Sequence, residues 1–258
     1  MSLIITHINK YGIILASDSN LSEPNSNAGF GQKIFPIPHL NSGLAYSGSY
    51  TIGGKSADWW IIDFITRSVY LTDTLGEFTQ LLCIGLTAEM RDYEIKAATI
   101  IHLAGFKKEL YESHIEHWHI SNTGLNQNGI YDTSHTEFHH ENDFSSFRNG
   151  IQREMLIKFY KDAFERQLYI NGFSPGRVTA LIIIKEIEKL MNWVWGNSEW
   201  KFRKPASLFE TANLLKLNLA YVCELFKMSD YNALYIGGEI QTHLIPAPQD
   251  LFKNPGQE

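Results

Sequence analysis

Cysteine is scarce in this chain. Cys83 and Cys223 are the two in 258 residues, they lie far apart, and they form no CxxC pair. That excludes a disulfide framework and reads as two buried thiols in a reducing compartment. Charge is thin as well. Charged residues make up 19% of the chain, against about 25% in an ordinary globular protein. The 22 basic and 28 acidic residues leave a net charge of −6, and no Lys/Arg cluster interrupts the balance. Neutralising phosphates needs a basic footprint, so nucleic acid is not the expected partner. Long apolar runs are missing too. Runs such as residues 180–184 stop far short of the roughly 20 residues of a membrane span. No basic segment opens the N-terminus, and residues 3–8 read as a strand rather than a secretory signal. The expected setting is therefore cytoplasmic, away from membranes.

Apolar residues are plentiful at 44%, with 15 Phe, 12 Tyr and 6 Trp. That excludes wholesale disorder. The length allows a sizeable core in one domain. Many aromatics with few charges fit a protein that hides surface in an interface as well as in a core. Residues 3–8 and 13–17 are β-rich and flank Asn9-Lys10-Tyr11-Gly12, which predicts a hairpin. Residues 22–31 read as a polar loop, 33–37 and 44–46 as strands. Apolar residues then recur at three and four through 59–66 and 78–86, as in amphipathic helices, with a break near 72–76. Residues 97–104, ended by Gly105, and 115–120 read as a second hairpin, and 138–144 as a short strand. Residues 155–168 read as a helix, 178–184 as a buried strand because its apolarity is unbroken, 187–195 and 208–226 as helices, and 234–236 and 240–245 as closing strands. Strands, helices, strands, helices, strands without βαβ alternation make an α+β chain. It is expected to be a single domain, 1–258, with extra helical material near 196–230.

Several short motifs fall in a suggestive order. They are Ser2, the turn Lys10-Tyr11-Gly12, Ala16-Ser17-Asp18-Ser19, Lys33-Ile34 and Ser47-Gly48-Ser49. This order resembles the opening of proteasome β-type subunits, members of the N-terminal-nucleophile (Ntn) hydrolases. Those chains open with a nucleophile and a strand, turn into a second strand that ends small-small-Asp-Ser, then carry a lysine and a glycine turn before a helix. The spacing from Ser2 to Asp18 matches that from nucleophile to aspartate in the family. Farther on, Asn171-Gly172-Phe173-Ser174-Pro175-Gly176-Arg177-Val178 is similar to the family's Asp-x-x-Ser-Gly-Gly-x-Val step into a strand. Ile236-Gly237-Gly238-Glu239 is similar to its closing Gly-Gly strand. Asn171 stands where the family has Asp, and Pro175 where it has Gly. No Gly-Ser-Gly step is recognisable, Phe144-Ser145-Ser146 being the nearest candidate.

The resemblance implies a four-layer αββα sandwich of two antiparallel sheets, with no cofactor. It implies a serine variant of the family's threonine-peptidase chemistry, cleaving peptide bonds through an acyl-Ser2 ester inside a self-assembled ring or stacked ring. Peptide or protein substrates follow, and an unfoldase ATPase is among the partners implied. In such an enzyme one residue works twice. Its side chain attacks, and its own α-amine, with an ordinary pKa of about 7.7–8.0, is the base. Met1 alone precedes Ser2 in this sequence, and methionine is removed before small residues, so Ser2 is expected to become N-terminal. Lys33 would favour the neutral amine and lower the hydroxyl pKa, and Asp18 would keep Lys33 charged and oriented. The N–H of Gly48 would meet the oxyanion. Ser174 would support the amine, and Asn171 would orient its neighbours through its amide.

Two other readings stay open. The chain could be an inactive scaffold that kept the fold. Or a histidine cluster could make it a metal-dependent hydrolase. His114, Glu116, His117 and His119 lie together, followed by His139, His140 and Glu141. On a strand His117 and His119 share a face, and with a carboxylate they could bind zinc. Their spacing fits no standard zinc motif, and the plainer expectation is a solvated, histidine-rich hairpin.

Overall fold

The computed structural model describes residues 2–23, 26–90, 94, 98–108, 113–122, 124–125, 131–132, 138–142, 167–172, 174–230 and 236–249. In chain order the elements begin with β1 (Leu3–Asn9), β2 (Gly12–Asp18), β3 (Asn20–Glu23), β4 (Ser26–Phe30), β5 (Ile34–Ile37), β6 (Ser42–Ser47), β7 (Thr51–Ile52) and β8 (Lys55–Ser56). Helices α1 (Ala57–Ser68) and α2 (Leu75–Glu89) follow. Then come β9 (Ile100–Lys108), β10 (Ser113–Ser121), β11 (Gly124–Leu125), β12 (Tyr131–Asp132), β13 (His139–Asn142) and β14 (Gln167–Gly172). Helices α3 (Ser174–Gly196) and α4 (Leu208–Lys227) precede the closing strand β15 (Ile240–Pro246). The chain is α+β, and its strand pairings are antiparallel among the described residues.

Two sheets carry the core. One has the order β14-β1-β2-β15 and the other β13-β10-β9-β6-β5. The predicted first hairpin forms, with Asn9 opposite Gly12. The Asn9 side chain accepts the Tyr11 N–H at 2.8 Å. Gly12 has φ +140°, and a Cβ there would strike the Ile245 carbonyl oxygen of β15, so glycine is needed for both reasons. Every residue of β1 and β2 is buried, because both faces of the sheet are covered. Leu3, Ile5, Ile14 and Ala16 pack against Ala180 and Ile184 of α3 and Leu215, Leu219 and Val222 of α4. The alternate residues Ile4, Ile8, Ile13 and Leu15 pack with Ile34, Ala45, Ala104 and Ile115 of the other sheet. A third cluster joins Leu44, Ile101 and Leu103 to Trp60, Phe64, Phe78 and Leu82 of α1 and α2. The break between those helices is set by a capping box. Thr74 accepts the Glu77 N–H, and Glu77 accepts the Thr74 N–H.

Some expectations are corrected. Residues 178–184 are not a strand but the first part of α3. Their apolar run winds around a helix whose Ala180 and Ile184 face the core while Val178, Leu181 and Ile182 are exposed. The Asn171–Val178 motif is therefore a step from a strand into a helix. The polar stretch 22–31 is not a loop throughout, since it overlaps the antiparallel β3/β4 ribbon. Gly105 does not end β9, which continues to Lys108. Its missing side chain instead lets Ser42 of β6 approach. Ile236 lies in a bend, and the rest of the 234–236 strand lies outside the described residues, as do the 144–146 candidate and 155–166 of the expected 155–168 helix; its last two residues, Gln167 and Leu168, open the strand β14 instead. No helix among the described residues is long and apolar enough to cross a membrane.

Candidate active site

The end of β2 carries a buried ion pair. Asp18 is 1% and Lys33 2% exposed, and their side chains meet at 3.3 Å. The Lys33 ammonium also donates to the carbonyl of Asn20. Burial pushes the Lys33 pKa down, and the Asp18 carboxylate beside it pulls it back up. Asp18 does more than hold Lys33. Its Oδ1 accepts the Leu3 N–H at 2.8 Å. Its Oδ2 accepts the N–H groups of Asn20 at 3.3 Å and of Gly237 at 3.2 Å. One carboxylate thus ties the start of β1, the end of β2, the lysine before β5 and the turn before β15.

Lys33 is fixed from its backbone as well. Its N–H and that of Ile34 both donate to Gln241 Oε1, at 2.8 and 3.3 Å. Gln241 Nε2 donates to the Gly31 carbonyl at 2.8 Å, and the Lys33 carbonyl accepts the Tyr46 N–H at 2.8 Å. Nothing in the sequence marked Gln241, because it belongs to a distant strand and its role exists only once the sheets meet. Cys223 of α4 lies near the pair. Burial and the Asp18 charge push its thiol up to about 12, so it stays protonated and inert.

Ser2 sits beside this pair, 3% exposed, immediately before the Leu3 N–H that Asp18 holds. Gly172 of β14 backs it. This glycine has φ +124°, and a Cβ would collide with the Ser2 carbonyl oxygen. Gly48 follows β6. Continuing the β5/β6 register of Ile34 with Ala45 places it across from Gly31. Its φ is not positive, so it is no left-handed turn residue. A Cβ would run into Thr99, and the close packing explains the glycine. Ser19, Gly31 and Gly238 meet at the same edge, where Gly31 N–H donates to the Ser19 carbonyl at 3.0 Å.

Asn171 is placed elsewhere. It lies opposite Ile4, and its Nδ2 donates to His102 Nε2 at 2.8 Å. It is joined to His102 and not to Asp18 or Lys33. Ser174 opens α3, and its side chain lies outside the described ones.

The histidines form a cluster between the sheets. His117 and His119 do share a face of β10, and both approach His102 of β9, with ring centroids 5.2 and 5.9 Å apart. Tyr169 of β14 stacks on His117 at 4.1 Å. This is not a solvated hairpin, since His102 and His117 are fully buried. β10 is an interior strand, between β9 and β13, and its inward face meets the other sheet. Among the described residues no group of three or more His, Cys, Asp or Glu is placed to hold a metal ion. The side chains of His139, His140 and Glu141 lie outside the described ones.

His102 is bonded as a neutral imidazole. Nε2 accepts from Asn171, so Nδ1–H donates to Thr6 Oγ1 at 2.9 Å. Burial, then the neighbouring His117 and His119, hold its pKa well below the ordinary 6.5. A depressed histidine leaves the folded state uncharged while the unfolded chain takes up a proton. Stability is therefore intact above pH 6.5 and falls as pH drops below it, with a limiting slope of about 1.4 kcal/mol per pH unit for one group. Urea unfolding at pH 7.5, 6 and 5 checks this. His102→Gln should flatten the acid limb, and an unchanged limb would refute the assignment.

Comparison with protein-family models and with curated proteins returns no match for this chain.

Proposed function

We propose that this chain is an Ntn-type amide hydrolase on a proteasome-β-like αββα framework, with Ser2 as nucleophile. The observation that carries the reading is the buried Asp18–Lys33 pair, bonded through Asp18 to the residue next to Ser2. The packing of the helices and sheets supports it. Helices α1 and α2 pack on one sheet, α3 and α4 on the other, and apolar residues of both sheets meet between them.

The mechanism follows from the groups at hand. Once Met1 is removed, the Ser2 α-amine accepts the proton of Oγ, and Oγ attacks a peptide carbonyl. Lys33 favours the unprotonated amine by its charge. The Gly48 N–H meets the oxyanion, a contact that is often worth about 10²–10³ in rate. The amine then passes its proton to the leaving nitrogen, and water hydrolyses the acyl-Ser2 ester. Ser174 supports the amine.

Assembly into a ring belongs to the same proposal. Trp59 and Ile62 of α1 and Tyr70 and Leu71 after it are exposed, an apolar surface suited to contact between copies. Sedimentation of the purified protein reads the subunit number. An inactive scaffold is the second reading, favoured by the turning of Asn171 toward His102.

The test is intact mass followed by an acylating probe. Loss of one methionine and covalent labelling at Ser2 are expected. Ser2→Ala should lower turnover of peptide amides by at least about 10³-fold. Retained Met1, or labelling that survives Ser2→Ala, would leave the scaffold reading.

A further inference from the structure

A cleft of about 440 Å³ opens beside the proposed nucleophile, lined among the described residues by Ser19, Phe30, Gly31, Gly238, Glu239 and Gln241. Its position relative to Ser2 follows from strand register. Ile4 pairs with Ser17, and Ser17 with Gln241. Two residues toward the strand ends, the same register sets Ser2 across from Ser19 and Ser19 across from Glu239. The Glu239 N–H indeed donates to Ser19 Oγ at 2.9 Å. Directly opposed residues of antiparallel strands share a face, and strands lie about 4.8 Å apart, so Glu239 stands about 10 Å from Ser2 in one row.

The polar character of the cleft comes down to one group. Both ends of the Gln241 amide are occupied, by Lys33, Ile34 and Gly31. Ser19 Oγ already accepts a backbone N–H. Glu239 is exposed, and it is the one ionisable residue among the described lining. Phe30, 69% exposed, supplies an aromatic face beside it. Gly238, at φ +76°, leaves no Cβ to crowd the Phe30 ring or Ser19. A carboxylate and an open aromatic face in one concave site suit a cation, above all the planar guanidinium of arginine. The net charge of −6 points the long-range field the same way.

We propose that this cleft is a substrate side-chain subsite that takes lysine or arginine, at the attacked residue of a peptide or the one beside it. The proposal rests on the hydrolase reading of Ser2, which it deepens. The experiment separates the two. Fluorogenic peptide amides that differ only in Arg, Gln or Glu at the residue bearing the scissile carbonyl, or at the one before it, are compared. At one of the two positions Arg should exceed Gln, and Gln exceed Glu, by about tenfold in kcat/KM at each step. Glu239→Gln should lower the Arg substrate about tenfold and leave the Gln substrate within about twofold. Calorimetry with N-acetyl-arginine amide reads the cleft without turnover. Binding to the wild-type chain that weakens with salt, and is lost in Glu239→Gln, supports recognition of a guanidinium by the cleft even if Ser2 takes no probe and the hydrolase reading falls. A flat Arg/Gln/Glu series at both positions on an enzyme whose Ser2 is labelled, equal losses on all substrates in Glu239→Gln, or no binding of the arginine amide overturns it.

Discussion

Asp18→Ala is expected to destabilise the chain by about 3–5 kcal/mol, the range for removing one partner of a buried ion pair. The reason is the number of groups it would strand. The Lys33 ammonium, 2% exposed, would keep only a carbonyl partner. The N–H groups of Leu3 and Gly237 would lose the carboxylate that accepts them inside the fold, while that of Asn20 would keep the Gly237 carbonyl. Each unmade bond in a buried site costs about 1–3 kcal/mol. Lys33 would answer by releasing its proton, which limits the loss. Urea unfolding of Asp18→Ala, Lys33→Met and the double variant makes the point. The double variant should recover part of the loss of Asp18→Ala, because the orphaned charge is gone. If Asp18→Ala shifts stability by less than about 1 kcal/mol, the carboxylate is not the tie described here.

The parts of this architecture that depend on neighbours in sequence were readable from it. The β1/β2 hairpin is fixed by apolar runs around Asn9 and Gly12, and α4 by its periodic Leu208, Leu215, Leu219, Val222 and Phe226. The run at 178–184 misled because a short apolar stretch serves a buried strand and a half-buried helix alike. Only the length of α3, Ser174–Gly196, decides between them. The Asp18–Lys33 contact was anticipated from the resemblance, since Asp18 ends one early, well-marked strand and Lys33 immediately precedes another. The partners gathered from far along the chain were not. Gln241 is 208 positions from Lys33, and His102 is 69 from Asn171. His117 looked solvated on its strand because nothing local tells that a second sheet covers it. Gly48 invited a turn explanation, when what it accommodates is Thr99 from the neighbouring β9 end.

Lys33→Met should separate chemistry from folding. Asp18 keeps three backbone N–H donors in this variant, so the fold should survive better than in Asp18→Ala. Turnover should fall by about 10²–10⁴, the usual worth of an acid–base arrangement. The pH profile carries the diagnosis. On the proposed mechanism a cation beside the Ser2 α-amine disfavours its protonated form, so removing Lys33 should raise the pKa of that base toward the ordinary 7.7–8.0 or above. The acidic limb of kcat/KM should accordingly move to higher pH. A merely structural lysine would lower the rate without moving the limb. Lys33→Arg should restore the position of the limb better than the rate, because the charge returns while the bulkier guanidinium fits poorly between Asp18 and the Asn20 carbonyl. A limb that stays in place in Lys33→Met would mean that the buried pair only braces the strands. The base would then have to be sought away from Lys33.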